Sequence, residues 1–342
     1  MKAYVLHENP TWYEPFAAAF DARGVEHEQW PLGDGTLDLA APPPPGVFWS
    51  RASASAHTRG HADAKDHARA VLAWLESWGR RVVNGRRVLE LEMSKVDQLT
   101  ALRAAGFDVP STIAVVGTQE LAAVADKLPT PFIIKHNQGG KGLGVRKFDS
   151  AAALARYLSS EDYEAPVDGI TLLQEYVEPA QPFITRVEIV GGEFLYALTA
   201  DTARGGFELC PADACAIGPA ACPADAPGAL ATAGATASAT ASVTDADAAS
   251  TAEPSLFALR SGFDHPIIDR YLKFAAQHGI GVAGFEFIET ADGRMVTYDV
   301  NTNTNYNAEV EAEAPRSGAQ QVARYLERLL DEERRTAEAG GR

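Results

Sequence analysis

Residues 131–145 read PFIIKHNQGGKGLGV. An apolar run of strand length ends in Lys135, and four glycines, Gly139, Gly140, Gly142 and Gly144, follow close behind. Glycines let backbone N–H groups turn inward around an anion such as a phosphate, and a lysine adds a point charge. The glycine pattern also imitates a dinucleotide fingerprint. Two features speak against that: the strand ends in lysine, and residues 145–148 after the glycines read as a strand rather than a helix. The reading is a strand, a phosphate-cradling flap and a return strand.

Upstream, residues 86–110 carry one helical stripe of Leu99, Leu102 and Ala105, closed by Gly106 and Pro110. Around the flap, strands are predicted at 112–116, 131–136 and 171–177, with helices at 118–127 and 150–158. The last of these strands ends in Gln174, Glu175, Tyr176, Val177 and Glu178. Such a polar hinge offers backbone groups to a purine edge and a carboxylate to a ribose.

Downstream, strand pairs 183–190/193–200 and 282–289/295–301 turn at Gly191-Gly192 and Asp292-Gly293, both hairpin dipeptides. Asp299 and Asn301, two apart on a strand, share a face, and the hairpin brings Glu286 opposite them. Three oxygen ligands suit a hard cation such as Mg2+, completed by phosphate and water. Two facing carboxylates repel, so this site is expected to be strained or partly protonated when empty. The chain ends on an amphipathic helix, 318–335.

The first 85 residues alternate strand (3–6, 47–49, 82–83) and helix (12–23, 62–78), a small α/β domain. Residues 50–61, SRASASAHTRGH, follow a buried strand at the carboxyl edge where open sheets bind ligands. Arg51 and Arg59 there suit a substrate carboxylate, with His57 beside them. Arg204 is a further candidate. Between residues 211 and 254 the chain is mostly Ala, Thr, Ser, Pro and Asp, which bury little on ordering, so a flexible insertion is expected. Cys210, Cys215 and Cys222 match no compact zinc spacing.

With 342 residues, 46% hydrophobic, the chain has material for two or three domains. A net charge of −16 speaks against a general nucleic-acid binder. No apolar run approaches a membrane span. Three cysteines exclude a disulfide scaffold, and without a recognisable signal peptide a cytoplasmic protein is expected.

Taken in order, these motifs resemble the ATP-grasp family. The resemblance rests on Ser94-Lys95, Lys135 with the glycine flap, the hinge at Gln174 to Val177, and Glu286, Asp299 and Asn301. Within the family the chain is most similar to the RimK-like group that ligates glutamate or other amino acids to a carboxylate. Residues 90–110, ELEMSKVDQLTALRAAGFDVP, and Arg186 within ITRVEIVGGE strengthen that likeness. It implies an α/β protein with an N-terminal domain (1–85) and a two-subdomain ATP-grasp fold with antiparallel sheets (86–180 and 181–335). It implies ATP and Mg2+ as cofactors, with two ions and Mn2+ as a substitute. The reaction implied joins a small carboxylate to an amine through an acylphosphate, with Arg186 and Lys141 catalytic. A homo-oligomer is compatible with the sequence. The alternatives are a non-amine nucleophile or a non-catalytic ATP-binding protein. The family commonly has Glu where Asp299 stands, one methylene shorter.

Overall fold

The computed structural model describes residues 1–140, 142, 144–206 and 255–340. The insertion expected at 211–254 and Lys141 lie outside them. No helix of the described residues is long and apolar enough to cross a membrane.

The amino-terminal layer holds β1 (Lys2–His7), α1 (Pro10–Arg23), β2 (His27–Pro31), β3 (Gly46–Ser50), α2 (Ala64–Ser77) and β4 (Arg81–Val83). Its sheet runs β2-β1-β3-β4 with every pairing parallel. The Asn9 side chain caps α1, which stops at Gly24 in the left-handed region. Strand β2 was not foreseen. It is short, at the sheet edge and reads HEQWP, with polar side chains at its first three positions, so its sequence lacks an apolar alternation.

Two helices follow, α3 (Arg86–Met93) and α4 (Lys95–Ala104), where the sequence suggested one. The chain leaves helical geometry at Ser94 (φ −137°, ψ 112°), whose hydroxyl accepts from the backbone N–H of Asp97. That break opens a fresh helix at Lys95.

The second sheet comprises β5 (Thr112–Val116), α5 (Leu121–Ala125), β6 (Phe132–His136), β7 (Arg146–Phe148), α6 (Ala151–Leu158) and β8 (Ile170–Glu175). It is antiparallel, in the order β5-β8-β6-β7. Helix α5 is shorter than the predicted 118–127.

The third sheet is built from β9 (Phe183–Val190), β10 (Glu193–Asp201), α7 (Thr202–Gly205), β11 (Phe257–Leu259), α8 (Ile267–His278), β12 (Val282–Glu289) and β13 (Met295–Asn301). Its order is β11-β10-β9-β12-β13, again antiparallel, with five strands where four were expected. Helices α9 (Ala308–Glu313) and α10 (Gly318–Gly340) complete the chain. Val322, Leu326, Leu329 and Leu330 of α10 join Phe16, Phe20, Val5 and Trp49 in one core, so the last helix packs on the first sheet.

Candidate active site

The two antiparallel sheets enclose a cavity of about 650 Å3. That lies within the range of small-molecule sites. Strand β6 contributes Ile133 and Lys135 from one face, and β12 contributes Glu286 and Ile288. Lys95 enters from the start of α4, and Gly139, Gly140 and Gly142 form a lip. The hinge, Gln174 to Glu178, closes one end. Tyr298, Asp299 and Asn301 all reach it from β13. Consecutive residues 298 and 299 face the same space because the β12–β13 pairing shifts register there.

Glu286, Asp299 and Asn301 lie together at this register shift. Glu286 pairs directly across from Asp299, and Gly284 from Asn301. The Asn301 amide donates to Glu286 Oε1 at 3.0 Å, and the Tyr298 hydroxyl to Glu286 Oε2 at 2.8 Å. The expected repulsion is largely offset by cations. Lys95 Nζ lies 2.5 Å from Asp299 Oδ1, and Arg186 Nη1 lies 3.1 Å from Glu286 Oε1. Burial penalises the Asp299 charge, but Lys95 and Lys135 outweigh it and hold the carboxyl below its usual range. Glu286 goes the other way. Burial first, and Asp299 after it, push it up against the pull of Arg186.

Arg186 does not line the cavity. It is 4% exposed and lies behind Glu286, bonded also to Glu188 (2.5 Å) and to the Thr304 hydroxyl. Its place depends on Gly284, where a Cβ would overlap the guanidinium.

Sequence reasoning passed over three residues that aim these groups. Asn137 accepts from Val96 N–H at 2.8 Å and donates to Asp168, locking the start of α4 to the flap strand. Gln98 donates to the carbonyls of Leu91 and Val300 and accepts from Val300 N–H, fixing β13 between Asp299 and Asn301. Glu92 accepts from Thr302 and from Ala54 N–H, tying β13 to the amino-terminal layer. The signal for Asn137 was its place beside Lys135. Gln98 and Glu92 look like surface residues of a helix.

The other candidates fall outside this cavity. Gly144 (φ 75°) sits behind the lip, where a Cβ would come 3.0 Å from the His136 ring. Arg204 pairs with Asp201 at 2.8 Å and donates to Ser255 O. The suggestion that Arg51 faces substrate is corrected. It is 1% exposed, donates to Trp12 O, Thr304 O and Asn305 Oδ1, and packs over Phe16 and Trp49. His57 bonds to Ala54 O.

Lys135 is the least compensated charge. It is 6% exposed and has no ion-pair partner among the described residues. Burial, then Lys95, pull its pKa down to about 7. Between pH 7 and about 10 the unfolded chain holds this proton and the folded chain does not, so stability contributed here rises with pH. At ~1.4 kcal/mol per unit the span reaches about 4 kcal/mol. Lys135→Met is therefore expected to gain stability over wild type at pH 7 and to lose that advantage by pH 9.5. Paired denaturant melts check it, and parallel pH profiles would refute it.

No family model and no curated protein matches the chain in sequence. Solved structures do match in shape. The RimK-domain ATP-grasp protein of Sphaerobacter thermophilus superposes with TM-score 0.60 at 16% identity, covering 95% of this chain and 99% of that one. The ATP-grasp ligase PsnB, complexed with a minimal precursor, gives 0.60 at 17%, covering 95% and 98%. It has also been solved with Mg and ADP. D-cycloserine synthetase DcsG gives 0.59 at 16%, covering 96% and 99%. With two antiparallel sheets closing on one cavity behind a parallel amino-terminal sheet, the chain has the ATP-grasp fold, in the form found in RimK-domain proteins.

Proposed function

We propose that the cavity binds ATP with Mg2+ and that the protein is a carboxylate–amine ligase of RimK-like type, working through an acylphosphate. The observation that carries the reading is Lys135, a buried lysine without an ion-pair partner among the described residues, placed beside a carboxylate pair in a cavity of nucleotide size. Such a group gains most from a polyanion.

The residues present fit the nucleotide and its metal. Ile133, Ile184 and Ile288 offer flat apolar walls for a base beside the hinge. Glu178 is free to face a ribose, while Glu175 is held by Ser111 N–H. Lys95 and Lys135 face the phosphates, and Glu286, Asp299 and Asn301 hold the metal. Mg2+ supplies charge neutralisation at the phosphoryl group. Lys95 and Lys135 add to it where charge develops as a carboxylate is phosphorylated. The glycine flap covers the site and keeps water from the acylphosphate. Arg186 acts from behind, positioning Glu286 and keeping it ionised. On this reading residues 1–85, 86–180 and 181–335 are the three structural parts, and use of ATP fits a cytoplasmic location. PsnB is an ATP-grasp ligase and DcsG a synthetase by name, which supports the reaction class.

The test is product analysis with ATP, Mg2+ and a panel of small carboxylates and amino acids. ADP and phosphate are expected in step with an amide seen by mass. AMP formed in step with ligation, or nucleotide binding without turnover on any mixture, overturns the proposal.

A further inference from the structure

Counted from the Asp292-Gly293 turn, Glu289 pairs with Met295 and Phe287 with Thr297, so an unbroken ladder would set Tyr298 opposite Glu286. Asp299 stands there instead, and Tyr298 is the extra residue of a β-bulge. The bulge decides which side chains the cavity receives. Thr297 is buried on the far face, its hydroxyl 2.7 Å from that of Tyr271. Tyr298 and Asp299 both line the cavity, where regular alternation would supply one of the two. Bulges re-aim side chains in this way and are common beside active sites.

The re-aimed hydroxyl meets a single carboxylate oxygen. Tyr298 donates to Glu286 Oε2 at 2.8 Å. A carboxylate has about two acceptor sites on each oxygen. On Glu286, Oε1 already takes two donors, the Asn301 amide at 3.0 Å and Arg186 Nη1 at 3.1 Å. Oε2 takes Tyr298 and keeps one site. Glu286 therefore has one oxygen to give a metal ion, and Tyr298 sets the direction in which that oxygen is offered. Arg186 cannot do this, because it lies behind Glu286 and is held there by Glu188 and Thr304.

The choice of oxygen bears on the choice of ion. Mg2+ demands near-octahedral geometry, whereas Ca2+ accepts flexible arrangements and takes carboxylates through one oxygen or both. A carboxylate confined to one aimed oxygen suits the smaller ion. We propose that Tyr298 is a positioning residue that holds Glu286 as a one-oxygen ligand and so sets a preference for Mg2+ over Ca2+. This role rests on the metal–nucleotide site proposed above.

The experiment uses the full chain with ADP, into which Mg2+ and Ca2+ are titrated separately by calorimetry. Tyr298→Phe removes the hydroxyl and keeps the ring. Losing a hydrogen bond to a metal ligand typically costs about ten- to a hundredfold in metal affinity. Mg2+ affinity is expected to fall by that factor and Ca2+ affinity by clearly less, so the preference narrows. In turnover, the Mg2+ needed for half-activation should rise by the same factor, and kcat should recover at saturating Mg2+. ADP affinity in EDTA should match wild type, which also reports folding. A second probe, 3-fluorotyrosine in place of Tyr298, keeps the hydroxyl. It should retain wild-type Mg2+ affinity, and its fluorine resonance should move when Mg2+ joins ADP, which decides the matter even where Tyr298→Phe does not fold. Unchanged Mg2+ affinity in Tyr298→Phe, an equal loss for both ions, or a fluorine resonance indifferent to Mg2+ overturns the role alone. A wild-type chain that binds neither ADP nor Mg2+ overturns the nucleotide reading, and this role with it.

Discussion

Replacing Asp299 by Asn is expected to lower ADP release by roughly a hundred- to a thousandfold, the effect of weakening a metal clamp worth several kcal/mol. The substitution keeps size and shape and removes one charge. Its structural cost is separate and smaller. Asp299 is bonded to Lys95 at 2.5 Å, with both side chains mostly buried. Losing a charged hydrogen bond costs about 1.5–3 kcal/mol. Repulsion from Glu286 would suggest a gain in stability instead, but Lys95 and Lys135 already outweigh it. The expected pattern is thus a modest fall in melting temperature with a far larger fall in turnover. Phosphate release at limiting Mg2+ beside a thermal melt measures both. Near-normal turnover would remove Asp299 from the metal site.

Arg186→Met should produce the largest loss of stability. Glu188 is fully buried and Glu286 nearly so, and Arg186 pairs with both. Removing one partner from a buried ion cluster costs about 3–5 kcal/mol. A typical domain has about 5–15 in total. Burial already holds both glutamates above the usual carboxylate range with Arg186 present. Without it they rise further. A carboxyl whose folded pKa lies above its unfolded value stabilises at low pH and loses that contribution as pH rises through the folded pKa. The variant should therefore be closest to wild type near pH 5 and furthest below it near pH 8. Adding Glu188→Gln should restore part of the difference. Denaturant melts at the two pH values check this, and an unchanged gap would mean that the cluster is not held by charge.

What could be read from the sequence follows local rules. Asp299 and Asn301 were legible as one face because strand alternation is local, but Glu286 stands opposite Asp299 only through the register shift at Tyr298, which nothing in the sequence announces. Lys135 and its glycines were legible because the strand and the loop are contiguous. The break at Ser94 was available too, since Ser94 and Asp97 stand in helix-start spacing, but the apolar stripe ran through it. Helix α8 carries a clear stripe, Ile267, Ile268, Tyr271, Phe274 and Ala275, which the reading passed over. Arg51 was beyond reach. Its partners Trp12, Thr304 and Asn305 come from distant parts of the chain, and nothing beside it announces burial. The tilt of Arg186 away from the cavity is likewise set by Gly284 and Thr304, on other elements.

The packing of α10 on the first sheet has a consequence for synthesis. Ala3, Val5 and Trp49 share their core with Val322, Ala323 and Leu326. The strands that begin the chain therefore leave the ribosome long before the helix that covers them exists. At roughly 5–20 residues per second the interval is on the order of tens of seconds. Through that time the nascent amino-terminal layer keeps an apolar face exposed, until α10 has been made and packs on it.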